Sequence, residues 1–318
     1  MKRNSMRIHL RLLAAISSLI VACAHDAPPL RSQAPSAASP QESAHVNGAD
    51  LRYVERGSGL PMVFVHGSLG GLETFQGQAE AFSRRYRTIT YSRRYHPPNW
   101  PPADDAEYAM AVHAADLEAL IHALNAKPAI VVGASYGAYT SLFLAVRHPE
   151  LVRALILGEP PLLPWLQESE EGKNVFAAFH TGVLDPAAAA FARGDDEGGV
   201  RAFIDGVSGK AGSFDALPPG LRAQFLPQAP EMRREMLTAF DRYMPAVSCA
   251  EVSELRMPIL LVEGEKSPEL FRIVMGQLAR CAPSAQRAMI PNAGHAMHRA
   301  NARFYGDTLS RFLADHGL

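Results

Sequence analysis

The stretch from Ala129 to Arg147, AIVVGASYGAYTSLFLAVR, narrows the possible folds of this chain more than any other. Ala129-Ile130-Val131-Val132 is too short and too β-branched for a helix and reads as a fully buried strand. Gly133-Ala134-Ser135-Tyr136-Gly137 follows at once, and from Ala138 the apolar positions Leu142, Phe143, Ala145 and Val146 recur at helical spacing. A serine therefore sits at the corner between a buried strand and a buried helix. Small residues at 133 and 137 let the two backbones approach, and the strained turn holds the hydroxyl outward. The helix N-terminus beneath it favours developing negative charge.

A five-residue G-x-S-x-G match also arises by chance, so the motif needs company. It has two companions: His66-Gly67 after the apolar strand 61–65, and Gly294-His295 near the C-terminus. Their order and strand-end contexts are those an acyl-transfer enzyme requires. On these residues, over about positions 45 to 316, the chain resembles the α/β-hydrolase family, specifically its cap-bearing members with a serine nucleophile. The fold class this resemblance implies is α/β, with a mostly parallel central sheet flanked by helices and a helical cap insertion.

The 318 residues suffice for one large α/β domain with an insertion. A net charge of -1 offers no basic face, so no nucleic-acid partner is expected. Residues 1–23 read as a signal peptide. Lys2, Arg3, Arg7 and Arg11 form a positive n-region, and Leu12 to Ala22 is an apolar h-region. Its end, Ile20-Val21-Ala22-Cys23, resembles a bacterial lipobox, in which Cys23 is lipidated and becomes the mature N-terminus. Plain cleavage after Ala24 fits the small-x-small rule too and releases a soluble product. Either way the protein is expected to be exported, touching a membrane by a lipid anchor only. No later stretch is expected to be long and apolar enough to span a bilayer. Residues 24–44, rich in Pro, Ala, Ser and Gln, read as a disordered tether.

Beyond the tether, residues 45–160 and 251–318 read as the core and 161–250 as the cap. His45-Val46, Asn47-Gly48 and the run 51–55 read as an edge hairpin with an Asn-Gly turn. Strands are expected at 88–92, 152–158, 258–264 and 286–290, with helices at 72–85, 108–125, 268–278 and 301–315. Between 161 and 250 the pattern is helical, broken by Gly194, Gly198-Gly199, Gly212 and Pro218-Pro219-Gly220, and its apolar residues look too interrupted for a separate core. Trp165, Phe176 and Phe179 are its candidates for an apolar pocket wall. The loop 93–100, rich in Pro and aromatic residues, either lines that pocket or packs against the cap.

A serine hydroxyl needs an adjacent base, and that base needs a partner to fix its tautomer. The resemblance gives Ser135 as nucleophile and His295 as base, with His298 the second candidate. It places the oxyanion hole at the amides of Ser68 and Tyr136 and makes His66 structural. Most of the family carries an Asp after the penultimate strand, but here Gly264-Glu265-Lys266-Ser267 puts serine there. Some members carry the acid one strand earlier, where this chain has Glu159. Glu159 is the first assignment, with Glu265 next and Glu263 or Glu269 behind it. Asp-nucleophile chemistries are disfavoured by Ser135, which suits an ester, a lactone or a related carbonyl substrate. The expected partner is a small, partly apolar molecule. No metal and no organic cofactor is implied, because no H-E-x-x-H, cysteine cluster or dinucleotide glycine pattern appears. A ligand-binding receptor with slow or no turnover uses the same residues and remains the alternative.

Cys249 and Cys281 each precede a parallel strand, so both are expected at the sheet edge opposite the site. In an oxidising compartment they pair as a disulfide. Two buried free thiols are the other reading.

Overall fold

The computed structural model describes residues 40–99 and 107–318. The signal segment, Cys23, the tether through Ser39, and Trp100 in the aromatic loop lie outside the described residues. Eight strands form one sheet: β1 (Glu42–Val46), β2 (Ala49–Arg56), β3 (Pro61–Val65), β4 (Arg87–Tyr91), β5 (Ala129–Ala134), β6 (Val152–Gly158), β7 (Ile259–Gly264) and β8 (Gln286–Ile290). Their spatial order is β1-β2-β4-β3-β5-β6-β7-β8. β1 and β2 run antiparallel at one edge, and the pairings from β4 through β8 are all parallel. After β3 the chain moves one way to β4 and then returns past it to β5. The order therefore reverses between β3 and β5, and a crevice opens at their carboxyl ends, where ligands bind in sheets of this kind.

Alternation along the central strands explains why the sheet is covered on both faces. Val63, Val65, Val131, Leu155, Leu157 and Leu261 point to one apolar cluster. It is built with α2 (Met110–Ala123), α3 (Tyr136–Arg147) and α11 (Glu269–Cys281). Met62, Phe64, Ile130, Val132, Ile156, Leu260 and Val262 point to the other. There α1 (Gln76–Phe82) and α13 (Ala302–Asp315) cover them with Phe82, Leu309 and Phe312.

At the antiparallel edge, Asn47 and Gly48 both take positive φ (46° and 72°), the two-residue hairpin geometry that Asn-Gly favours. β1 begins at Glu42, so residues 42–44 are strand and not tether. The reason is pairing: Glu42 lies opposite Tyr53 in register, and the Tyr53 hydroxyl donates to Glu42 Oε2 at 2.9 Å.

Between β6 and β7 lie helices and no strand: α4 (Glu170–Phe179), α5 (Asp185–Ala192), α6 (Asp196–Ser208), α7 (Pro219–Phe225), α8 (Ala229–Leu237), α9 (Phe240–Tyr243) and α10 (Cys249–Ser253). This insertion has a small apolar cluster of its own, with Phe191, Val200, Phe203, Phe214 and Met232, which the broken sequence pattern did not suggest. Leu69, from the turn after β3, completes it. The continuous helical run Glu170–Ala192 is long and apolar enough, by length and composition, to cross a membrane, against the expectation from sequence. The alanines of α5 raise its apolarity, and the run packs on α6, α8 and α11.

Cys249 opens α10 and Cys281 closes α11, and the two are joined in a disulfide with Cα atoms 5.1 Å apart. A capping box fixes the first of them: Ser248 N–H donates to Glu251 Oε2 at 2.7 Å, and Glu251 N–H returns a bond to Ser248 Oγ. The bridge spans a sequence separation of 32, for which loop entropy gives roughly 3 to 4 kcal/mol as an upper figure. Reduction is therefore expected to add 2 Da to the intact mass and to lower the melting temperature. Room-temperature activity stays nearly unchanged, because α11 leaves the carboxyl end of β7 and ends at the opposite edge. A melting curve indifferent to reductant would contradict this.

Candidate active site

The corner between β5 and α3 is built by close approach. A Cβ on Gly133 would lie 2.5 Å from Ala138 Cα, and one on Gly137 would collide with the carbonyl oxygens of Val65 and His66. Neither position accepts a side chain, which is the physical content of the G-x-S-x-G spacing. Ser135 sits between them at φ 53°, ψ -127°, a strained backbone for a residue with a Cβ. Its N–H donates to Gly158 O at 2.7 Å, so β6 holds the corner in place. The turn after β3 presses on the same corner, for a Cβ on Gly67 would be 2.9 Å from Ser135 Cβ.

β6 ends one residue later in a second strained position, Glu159 at φ 47°. Its carboxylate is 1% exposed and satisfied on both sides. Oε1 accepts from Gly264 N–H at 2.8 Å, and Oε2 lies 2.7 Å from His295 Nδ1. A carboxylate only accepts, so Nδ1 carries the proton and Nε2 keeps a free lone pair. Phe271 stacks on the His295 ring at 3.9 Å and 11°, holding its plane. His295 and Ser135 line one cavity of about 480 Å³.

The structure places the other acids elsewhere. Glu265 is exposed, and its Oε2 accepts from Asn292 N–H at 2.7 Å, bracing the turn that leads to His295. Glu263 pairs with Arg287 at 2.7 Å and Glu269 with Arg272 at 2.5 Å. His298, buried in α12 (Met297–Ala300), is a cavity wall beside Phe75; burial pushes its pKa down to about 3, so it stays neutral. His66 is held at both nitrogens: Nδ1–H donates to Gly67 O at 2.8 Å and Nε2 accepts from Arg93 N–H at 2.8 Å. It is 1% exposed, and burial holds its pKa well below the usual imidazole value.

Ser68 lines the cavity, and Tyr136 contributes the first amide of α3, which has no carbonyl one turn earlier in the helix to bond. The Tyr136 side chain is fully buried and points to the cap, with its hydroxyl on Tyr243 O at 3.1 Å. The cavity wall differs from the sequence expectation. Trp165 is core, its indole N–H donating to Val247 O at 2.6 Å, and Phe176 and Phe179 pack on the main cluster. The wall comes instead from Phe203, Ile204 and Val207 of α6, Leu217, and Leu221 and Phe225 of α7, with Arg299 among the lining residues.

Beneath the turn after β3 lies a buried polar cluster that sequence reasoning missed. Glu231 and Glu235, one turn apart on α8, are both 0% exposed. They meet Arg93, His96, Tyr108 and Tyr243, so the aromatic loop packs against the cap through Arg93 and His96. His96 Nδ1 lies 3.0 Å from both Gly70 O and Gln228 Oε1, which fixes its hydrogen there. Its Nε2 is then an acceptor and takes a hydrogen from Arg93 Nη2 at 3.0 Å, with Glu231 Oε1 close by at 2.9 Å. Burial raises both carboxyls to about 7, and for Glu235 the neighbouring Glu231 adds to the rise. The ordinary value for these groups is 4.5, so between about 4.5 and 7 the folded chain holds protons that the unfolded chain has lost. Stability therefore falls as pH rises through that window and levels off above it. Thermal melts across pH 5 to 8 are expected to show this decline, and Glu231→Gln should flatten it. Parallel curves for both proteins would count against a proton on Glu231.

The strained serine thus stands at the switch point of a parallel sheet, in one cavity with an imidazole that a buried carboxylate holds. The family model for the alpha/beta hydrolase fold matches residues 61–300, and the chain belongs to that family. An uncharacterized hydrolase of Bacillus subtilis (strain 168), YraK, is 37% identical over 125 residues, 39% of this chain and 46% of that protein. The match thus spans less than half of that relative. The 2-(acetamidomethylene)succinate hydrolase of Mesorhizobium japonicum is 23% identical over 83% of this chain and 91% of its own length. Among solved structures, Est816, described as an N-acyl homoserine lactone degrading enzyme, superposes with a TM-score of 0.66 at 22% identity. That superposition covers 85% of this chain and all of Est816.

Proposed function

We propose that this protein is a serine hydrolase of carboxylic esters or lactones. The observation that carries the reading is the pairing of His295 Nδ1 with Glu159 Oε2 at 2.7 Å, in the cavity that Ser135 enters from its strained corner. In this reading His295 Nε2 takes the Ser135 proton as Oγ attacks the carbonyl carbon. The amides of Ser68 and Tyr136 hold the oxyanion, and the collapsing intermediate expels the alcohol with the proton returned by His295. Water, deprotonated by the same nitrogen, then releases the acid and frees Ser135.

The apolar wall from α6 and α7 suits a hydrocarbon group on the substrate, and the Arg299 guanidinium suits a carboxylate or carbonyl on it. Relatives named for a lactone and for a substituted succinate support carbonyl substrates of modest size. Export belongs to the same reading, with Cys23 as the lipid attachment point; the Cys249–Cys281 bridge supports an oxidising compartment.

The test is a fluorophosphonate label followed by a panel of p-nitrophenyl esters and simple lactones. Labelling of Ser135 with multiple turnovers supports the proposal. Labelling with a single turnover makes the protein a receptor on the same fold, and a label on any other serine overturns the assignment.

A further inference from the structure

The buried carboxylate pair on α8 is not needed to hold Glu159, His295 or Ser135, yet it reaches the loop that faces them. Ser68 Oγ donates to Glu235 Oε1 at 2.5 Å, across 167 positions of sequence. The hydroxyl of Tyr243, at the end of α9, donates to that same oxygen at 2.5 Å. Tyr243 in turn stacks on Tyr136 at 5.1 Å and 13°, and Tyr136 donates back to the Tyr243 carbonyl. One carboxylate oxygen of the cap thus gathers the two residues whose amides face the reacting carbonyl in the reading above.

We infer that Glu235 is a positioning residue for the oxyanion hole: the cap helix α8 sets the direction of the Ser68 and Tyr136 amides through a single carboxylate oxygen. This rests on the proposed acyl-transfer role of those amides.

The turn that carries Ser68 needs such an anchor. It begins with Gly67, runs through Leu69 at φ 55°, and closes with a 3.2 Å bond from Gly70 N–H to Gly67 O. A peptide in a tight turn can rotate its N–H away from the cavity unless something beyond the turn fixes it. The neighbouring Leu69 side chain fixes one side by entering the cap's apolar cluster. The Ser68–Glu235 bond fixes the other.

The surroundings of Glu235 are buried and polar. Glu231 lies on the same helix; Arg93, His96 and His66 come from the loops after β4 and β3; Tyr108 and His113 come from the segment opening α2 and from α2 itself. Arg93 places positive charge beside both carboxyls and opposes the rise that burial imposes on them. Arg93 also lies over the Tyr136 ring at 4.9 Å, so the cation touches both ends of the arrangement.

Position rather than mere packing predicts a particular kinetic signature. Ser68→Ala keeps the amide and removes only its tether, so kcat on a p-nitrophenyl ester should fall on the order of tenfold with KM within about twofold. Glu235→Ala should do the same, and the double variant should be no worse than either single one. Glu235→Gln, which keeps an acceptor oxygen, should recover most of the loss. Wild-type labelling by a fluorophosphonate and wild-type turnover are measured alongside. If these fail, the acyl-transfer reading fails. If they hold while Ser68→Ala keeps full kcat, or the double variant multiplies the two single losses, the positioning role is overturned. Should Glu235→Ala not fold, Ser68→Ala and Glu235→Gln still decide the matter.

Discussion

Ser135→Ala is expected to remove both fluorophosphonate labelling and ester turnover while leaving the fold intact, a loss on the order of 10⁶-fold in kcat. The fold should survive because the Ser135 contact that locks the corner is its backbone N–H on Gly158 O, which alanine keeps. The strained φ of 53° costs alanine no more than serine, and the close approaches at Gly133 and Gly137 are untouched. Chemistry, in contrast, loses its only covalent partner for the acyl group. In the proposed reading only water activated by His295, with the amides of Ser68 and Tyr136, is left to supply residual turnover. Circular dichroism and a melting curve alongside the kinetics separate the two effects. Persisting label or turnover would remove Ser135 from the role.

Glu159→Gln should be nearly as damaging, by about 10³- to 10⁴-fold in kcat, through the tautomer of His295. The substitution preserves volume and leaves an oxygen for the Gly264 N–H, so the link to β7 and the melting temperature should change little. The amide NH₂ then faces His295 Nδ1, where it can only donate. His295 must answer with its lone pair at Nδ1, and the hydrogen moves to Nε2, the nitrogen that has to accept from Ser135. Glu265→Gln is the informative contrast. That side chain is exposed and accepts from the Asn292 N–H, a bond the glutamine oxygen reproduces, so activity should stay within about threefold. If the two variants ranked the other way, the carboxylate that serves the histidine would be the later one.

The sheet and its covering helices were legible because burial on two faces leaves a readable mark. Val131 and Leu155 face one cluster while Ile130 and Ile156 face the other, and such runs are hard to mistake for anything but central strands. The strand-to-helix corner was legible for a steric reason, since only glycine fits at 133 and 137. The choice between Glu159 and Glu265 was less so. Both follow a parallel strand, and the difference is that Glu159 turns inward at φ 47° while Glu265 faces solvent.

The α8 carboxylates carried no local signal at all. Glu231 and Glu235 in EMRREML have the spacing of an ordinary solvated helix face beside two arginines and two methionines. Their partners come from four other segments: the turn after β3, the loop after β4, the segment before α2, and α9. The cavity wall failed for a similar reason. Large aromatic residues such as Trp165 attract attention, yet α4 and the turn before it fold back on α11, while α6 and α7 line the cavity with Ser135.

The disulfide has a consequence for how such a chain could diversify. The inserted helices leave the sheet directly after Glu159 and rejoin it just past Cys249, which is bonded to α11. Both ends of the insertion are therefore pinned to the sheet by features that do not depend on its interior. Of the roughly 90 residues between them, α6 and α7 carry the cavity wall and can be varied to give another substrate shape, while Trp165, Phe176 and Phe179 keep their packing on the main cluster. Such variation is not free of conditions. Any altered insertion must present a buried acceptor to Ser68, or Ser68 must change with it, so these two positions are the ones that have to be carried over together.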